Sequence, residues 1–327
     1  RTTDSNHKDS VKEILSFLYK KGDIYFDEYE GLYSVSEERF ITQKEKEEGD
    51  FREVKKIKEK NYFFKMSKYQ KQLINHINNN PEFIQPESRK NEVISFVKEG
   101  LRDLSISRTS FKWGVPVPKN SDHVVYVWLD ALANYISALG FPNTKDQNFT
   151  DFWPADLHMV GKDILRFHAV YWPAFLMAAN LPIPRRIFAH GWWTNEGEKI
   201  SKSLGNAIDP NELADSYGLD QTRYFLMREV PFGNDGDFSQ QAMIHRMNGD
   251  LANDLGNLSQ RVLSMIFKNC DGVMPALPAT PTDDDQAMLD AADALLPAVR
   301  DAIDMQAFHE ALRLIWQVVA DANRYVD

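Results

Sequence analysis

Two lysines and two serines crowd five positions, Lys199-Ile200-Ser201-Lys202-Ser203, with Leu204-Gly205-Asn206 directly after them. Two ammonium groups flanked by hydroxyls can neutralise a triphosphate as charge moves onto a departing pyrophosphate. That is transition-state stabilisation by placed charge, and it needs no covalent step. Gly197 stands ahead of the run as a hinge, so the expected element is a mobile cationic loop just after a strand. A second run, Lys65-Met66-Ser67-Lys68, looks alike but ends on Tyr69 rather than serine. It follows three aromatics and enters a helix, so its expected role is structural.

Other spacings also bear on chemistry. Gly161 and Asp163 sit where a buried strand meets a helix, a junction whose amides and dipole favour an anion. Ile164 and His168 are four apart and share one helical face. Asn257 and Arg261 are likewise four apart and therefore neighbours on one helical face.

The elements that must position these residues fall into three regions. From Ser10 to Lys20 the spacing Val11, Ile14, Leu15, Leu18 predicts a helix, with Ser10 and Glu13 in the form of a capping box. Aromatic-rich segments follow, then a polar stretch from Thr42 to Lys60 that reads as a loop or hairpin. A helix is expected from Lys68 to Asn78, stopped at Asn79-Asn80-Pro81. The second region alternates strands and helices. Val124–Trp128, Leu157–Val160 and Ile187–Gly191 read as strands, with helices from about Asp130 to Leu139 and from Asp163 to about Asn180. Such alternation implies a parallel sheet with ligands outside the strands' carboxyl ends. From Gln240 the pattern is helical: Ala242 to Phe267, Asp283 to Asp304, and Met305 onward, broken by Pro275, Pro278 and Pro281. The three segments suggest a bundle.

At 327 residues and 43% hydrophobic content, the chain can fill two domain cores. No run of about 18 apolar residues predicts a membrane span. The first residues carry neither a signal-peptide core nor a transit pattern. A single cysteine, Cys270, excludes an internal disulfide framework and a Cys-rich zinc knuckle. A reducing compartment follows, most simply the cytoplasm. The formal net charge of −10 speaks at first against nucleic acid, but phosphate binding follows the local field. Lys55, Lys56, Lys58, Lys60, Lys65, Lys68 and Lys71 crowd one stretch, and seven aspartates between Asp283 and Asp304 another. Charge alone leaves the partner open.

The order of the motifs narrows the choice. His190-Gly191-Trp192-Trp193 precedes the cationic run and Asp209-Pro210 follows it, an arrangement that resembles the KMSKS loop of class I aminoacyl-tRNA synthetases. Neighbouring blocks resemble the methionyl family: Asp103-Leu104-Ser105-Ile106-Ser107-Arg108, Trp113-Gly114-Val115-Pro116-Val117-Pro118, Tyr126-Val127-Trp128-Leu129-Asp130-Ala131, Gly161-Lys162-Asp163-Ile164-Leu165-Arg166-Phe167-His168, Tyr171-Trp172-Pro173-Ala174 and Arg223-Tyr224-Phe225. The resemblance covers essentially the whole chain and is weakest between about 40 and 60.

The resemblance implies an α/β fold: a partial Rossmann-type parallel sheet with a small inserted subdomain, followed by an all-α bundle. It divides the chain at 1–20 (end of the first catalytic half), 21–85 (inserted connective subdomain), 86–195 (second catalytic half), 196–240 (KMSKS loop and stem contact) and 241–327 (anticodon-binding helices). It implies an ATP-dependent ligase that joins methionine to its tRNA through methionyl-adenylate, with Mg2+ on the phosphates. The methionine pocket falls on Trp128, Tyr135, Ile164 and His168, with Leu132 where the family commonly has proline. ATP falls on Gly161, Asp163, His190, Gly191 and Trp193, with Ser201 and Ser203 from the loop and Arg108 toward the polyphosphate. Lys202, assisted by Lys199, stabilises the first transition state. Asn257-Leu258-Ser259-Gln260-Arg261 resembles the anticodon-reading helix, with Asn257 and Arg261 as the readers.

Two departures from the family pattern stand out. Tyr29 to Ile41 contains no cysteine where one form of the family carries a zinc knuckle, so no structural zinc is expected. No His-x-Gly-His signature occurs either, which implies that the amino-terminal half of the nucleotide-binding fold is lacking from this sequence. Three rival readings follow: a non-catalytic tRNA-binding fragment; a class I ligase for leucine, isoleucine or valine, although no stretch is long enough for an editing insertion; and a metal site from His158, His168 and His190, whose spacing fits no common ligand pattern.

Overall fold

A computed structural model describes residues 1–35, 39–41, 43–48, 53–200, 205–276 and 279–327. The chain divides into two compact units, Arg1–Ala189 and His190–Asp327. No helix among the described residues is long and apolar enough to cross a membrane.

The first unit opens with the helix Ser5–Lys21, which buries Val11, Ile14, Leu15 and Leu18 on one face as the spacing requires. Its start differs from the sequence reading. Asp4 takes the extended N-cap conformation, and Ser10 lies inside the helix. The Ser10 hydroxyl is 2.8 Å from the Asn6 carbonyl and 2.5 Å from that of Phe141. A serine that bonds backward to a carbonyl cannot also cap the turn ahead of it, so the capping-box reading fails. Gly22 ends the helix at φ 79°, the left-handed conformation that a side chain resists.

Ile24–Ser34 then pairs antiparallel with Val54–Phe64, in unbroken register from Ile24↔Phe64 to Ser34↔Val54. The stretch read as a loop or hairpin therefore supplies a short helix, Gln43–Glu48, and much of a long strand. Part of its lysine crowd is spent on neighbours: Lys58 lies 3.4 Å from Glu28 and Lys55 2.7 Å from Glu53. The four strands run in the order Arg39–Ile41, Ile24–Ser34, Val54–Phe64, Leu104–Ser105.

A small parallel element carries the second region. Ile187–His190 lies between Ile84–Gln85 and His158–Gly161, with Ile187 and Phe188 parallel to Ile84 and Gln85. The segment Val124–Trp128 does not join it. Asn120–Val125 is the middle strand of a separate antiparallel sheet, between Ser107–Arg108 and Pro116–Val117. The helix begins at Val127 and runs to Ser137. Leu129, Leu132, Ala133 and Ile136 are buried along it, a 3.6-residue pattern that overrides the β-prone start of the segment. The expected helix after Gly161 is one helical run of uneven pitch. It opens as a 3-10 turn over Lys162–Ile164, widens to π over Phe167–Tyr171 and closes as α over Trp172–Ala178. All these elements share one core, which contains Phe64, Phe83, Leu129, Trp172 and Phe175.

In the second unit, Trp193–Asn195 pairs antiparallel with Glu198–Lys199 and parallel with Gly236–Phe238. Helices dominate the rest: Pro210–Tyr217, Leu219–Arg228, Gln240–Arg246, Asn257–Asn269, Asp283–Asp304 and Phe308–Val326. The helix expected from Ala242 to Phe267 begins at Gln240 under a Ser239 cap and widens to π over Met247–Gly256. Asp283–Asp304 starts from a reciprocal capping box between Thr282 and Asp285. The fold class is thus α/β with a small parallel sheet and a helical carboxyl-terminal region.

Candidate active site

The first unit brings Trp128, Tyr135, Ile164 and His168 together. Trp128 and Tyr135 are seven apart on the helix Val127–Ser137, so two full turns place both on one face. Ile164 and His168 come from the facing helical run. Trp128 stacks on Phe167 at 3.7 Å and 9° and stands edge-on to His168 at 6.2 Å. The Tyr135 hydroxyl lies 2.9 Å from His168 Nε2, and His168 Nδ1 lies 3.0 Å from the Ile164 carbonyl.

That chain of bonds fixes the tautomer. A carbonyl only accepts, so Nδ1 carries the hydrogen, Nε2 accepts, and Tyr135 donates. Burial pushes the His168 pKa down, against the opposing pull of the Ile164 carbonyl, which keeps the ring neutral. His158 lies directly behind, its ring 4.2 Å from that of Tyr135 and 5.9 Å from that of His168. Burial, with the nearby His168 as a lesser cause, pushes His158 down to about 4. Burial likewise raises the Tyr135 hydroxyl. The result is an aromatic cluster with one polar edge formed by the uncharged Tyr135, His158 and His168 side chains. Such a site suits an unbranched, uncharged side chain, and sulfur–aromatic contact favours a thioether. Leu132 is fully buried on the core face of the same helix.

His158, Phe167 and Trp172 are contributors the sequence reading passed over; Tyr135 lies 6.4 Å from Trp172. His158 and Val160 are buried while Met159 between them is 44% exposed, an alternation that the sequence, with an apolar Met at the exposed position, does not display. The only sequence reading of His158 was as a metal ligand. Among the described residues no group of three or more His, Cys, Asp or Glu side chains could hold a metal ion.

Gly161 ends the strand His158–Gly161, and Asp163 is exposed in the 3-10 turn beyond it. Arg108 is only 2% exposed. It donates to Ser105 and Ser107 carbonyls and to the Ser105 hydroxyl, and lies 4.7 Å over the Tyr126 ring. Its surroundings support a place inside the fold rather than at a polyphosphate. The Lys65–Lys68 look-alike is structural too: Lys65 donates to the Gly22 carbonyl, Ser67 to Asp103, and Lys68 to the fully buried Asp23 at 2.5 Å.

In the second unit, Ser201, Lys202 and Ser203 lie outside the described residues. The flanks of that segment are well defined. Glu196 and Gly197, at φ 50° and 80°, form the tight turn between Trp193–Asn195 and Glu198–Lys199. Asp237 accepts from the Gly197 amide at 2.8 Å and from the Thr194 hydroxyl, and these bonds hold its carboxyl below the usual range. Gly197 is therefore a pinned turn residue rather than a hinge. Asn206 donates to the Lys199 carbonyl at 3.0 Å while Asn195 donates to that of Asn206 at 3.1 Å, which ties the two feet of the segment together. Lys199 Nζ stands 5.5 Å over the Trp192 ring.

His190 Nδ1 lies 2.8 Å from the Gly191 carbonyl. A Cβ on Gly191 would fall 2.2 Å from the Asn234 carbonyl oxygen, so only glycine fits there. Trp193 is half-buried, 5.9 Å from Phe225. Asn257 is exposed at the start of the helix Asn257–Asn269, and Arg261, one turn on, pairs with Asp327 at 2.5 Å.

Known proteins resemble this chain along nearly its whole length. A family model described as tRNA synthetases class I (M) matches residues 1–50 and 46–263. A methionine–tRNA ligase of Mycobacterium bovis is 55% identical over 99% of the chain, and one of Brucella suis 54% identical over 99%. The chain spans 64% of the length of each of these relatives. A crystal structure of Mycobacterium tuberculosis methionyl-tRNA synthetase bound by methionyl-adenylate superposes with a TM-score of 0.93 at 54% identity, covering 99% of this chain and 65% of that one. The free form of that enzyme gives 0.90 at 52% identity. With both the ordered motifs and the whole fold matched, the chain belongs to the class I methionyl-tRNA synthetase family.

Proposed function

We propose that this chain carries the methionine pocket and the pyrophosphate-departure loop of a methionine–tRNA ligase. The reaction has two steps. A carboxylate oxygen of methionine attacks the α-phosphorus of ATP, the bond to the β-phosphate breaks, and pyrophosphate leaves. A terminal ribose hydroxyl of the tRNA then attacks the acyl carbon, and AMP leaves with the bonding pair.

Trp128, Tyr135, Ile164 and His168 would hold the methionine side chain. Gly161, Asp163, His190, Gly191 and Trp193 would hold the nucleotide, with Ser201 and Ser203 assisting. Lys202 and Lys199 would neutralise charge on the leaving pyrophosphate. Mg2+ would arrive on the ATP phosphates, which suits a cation that keeps much of its water shell and needs no protein cage. Asn257 and Arg261 would contact the anticodon, and the cytoplasm is the compartment that suits this work.

The observation that carries the reading is the uncharged Tyr135–His168–Ile164 chain beside Trp128. A pocket for a charged or strongly polar amino acid would hold a counter-charge instead. The test is amino-acid-dependent ATP–pyrophosphate exchange by the protein that contains this sequence. Methionine should support exchange well above leucine, isoleucine or valine. Exchange driven equally by a branched amino acid would overturn the assignment.

A further inference from the structure

One imidazole grips the back of the helix whose front walls the proposed methionine pocket. His7, on the helix Ser5–Lys21, is 3% exposed. Its Nε2 lies 2.5 Å from Asp130 Oδ1 and its Nδ1 lies 2.8 Å from Ser137 Oγ. With Nε2 donating to the Asp130 carboxylate, Nδ1 is left to hydrogen-bond with the Ser137 hydroxyl.

Asp130 and Ser137 are seven apart on the helix Val127–Ser137, as Trp128 and Tyr135 are. Each pair therefore forms a column two turns long. At 3.6 residues per turn, the step from Trp128 to Asp130, or from Tyr135 to Ser137, is a rotation of about 200°. The two columns lie on opposite faces. Contacts bear this out: Trp128 and Tyr135 meet His168, while Asp130 and Ser137 both meet His7.

A single contact would let the helix pivot. Two contacts, a full two turns apart, fix both its rotation and its depth. With side chains about 6 Å from the helix axis, a turn of about 10° moves a ring by about 1 Å. Misplacement on the order of 1 Å can cost about a hundredfold where groups must be aligned for reaction. We infer that His7 is a positioning residue for methionine recognition, acting through Asp130 and Ser137 on the setting of Trp128 and Tyr135 without touching the amino acid. The inference rests on the methionine-pocket reading above.

The experiment compares His7→Ala, His7→Gln, His7→Asn and Ser137→Ala in ATP–pyrophosphate exchange, with KM for methionine and for ATP measured separately and the thermal midpoint recorded. His7→Ala should raise the methionine KM about tenfold and leave the ATP KM within about twofold, the split expected of a selective positioning defect. Glutamine can reach the Nε2 position and asparagine the Nδ1 position, so each should restore part of the loss. Ser137→Ala, a small change at a partly buried hydroxyl, should raise the methionine KM about threefold in a folded protein.

Folded variants with an unchanged methionine KM, or with both KM values rising together, would overturn the inference. Should His7→Ala fail to fold, Ser137→Ala and His7→Gln decide it. A wild-type protein with no methionine-dependent exchange would instead sink the pocket reading, and the clamp with it.

Discussion

The Tyr135 hydroxyl donates to His168 Nε2 across 2.9 Å, and this bond joins the two helical segments that wall the proposed pocket. His168 is held from its other side by the Ile164 carbonyl. The polar edge of the site is thus closed on itself, with both ring nitrogens assigned by their partners.

Tyr135→Phe breaks that chain while keeping the ring. The lost bond leaves a buried acceptor on His168, which costs about 1 kcal/mol. The methionine KM should rise about fivefold, the equivalent of that energy, with the ATP KM unchanged. Steady-state exchange kinetics at varied methionine and ATP check it; equal rises in both constants would remove Tyr135 from the pocket.

The buried histidines give the fold a predictable response to acid. In the unfolded chain an imidazole titrates near 6.5, whereas His158 in the fold is pushed down to about 4 and His168 is also lowered. Between those values the unfolded chain binds more protons than the folded one. Stability is therefore full above about pH 6.5 and falls as the pH drops toward about 4, by at most on the order of 3 kcal/mol for His158. His76 and His309, also lowered by burial, add to the slope. Thermal melts from pH 7.5 to 5 should show a falling midpoint, and His158→Phe should flatten the fall. A parallel profile in that variant would place the acid response elsewhere.

The two lysine-rich runs should separate cleanly under mutation. Burial works to raise the Asp23 carboxyl, but hydrogen bonds from Lys68 and Tyr69 outweigh it and hold the pKa below its ordinary value. Lys68→Ala leaves that carboxylate buried with less to balance it. Because Lys68 is half-exposed and screened, the loss should be about 1–2 kcal/mol, below the cost of breaking a fully buried pair. Exchange kinetics should not change. Lys202→Ala should do the reverse, slowing adenylate formation on the order of 100-fold with little change in stability or methionine binding. Denaturant melts and single-turnover adenylate formation distinguish the two; a comparable rate loss in both variants would contradict the division.

What the sequence made legible was whatever a local pattern controls. The buried face of Ser5–Lys21 follows from Val11, Ile14, Leu15 and Leu18. The run after Gly161, expected to end at about Asn180, does end there, where the chain turns left-handed at φ 56°. Where a distant partner decides, the reading slipped. Ser10 looked like a cap because its bond to the Phe141 carbonyl, 131 residues on, has no local signature. Val124 and Val125 looked like part of a parallel sheet because β-branched residues do not declare their partners; those partners are Ser107 and Arg108 in an antiparallel sheet. The π widening over Phe167–Tyr171 leaves no periodic trace, yet it sets where Phe167 and His168 point. Trp128, Tyr135, Ile164 and His168 were legible only as part of a motif series. His158 and His7, which act from behind, were not legible as contributors to the pocket at all.

The most direct measurement is calorimetric titration of methionine into the protein that contains this sequence, repeated with Trp128→Ala and with leucine as ligand. Methionine should bind at one site, the substitution should weaken it at least tenfold through loss of an aromatic wall, and leucine should bind far more weakly. Methionine affinity unchanged by Trp128→Ala would contradict the account at its centre.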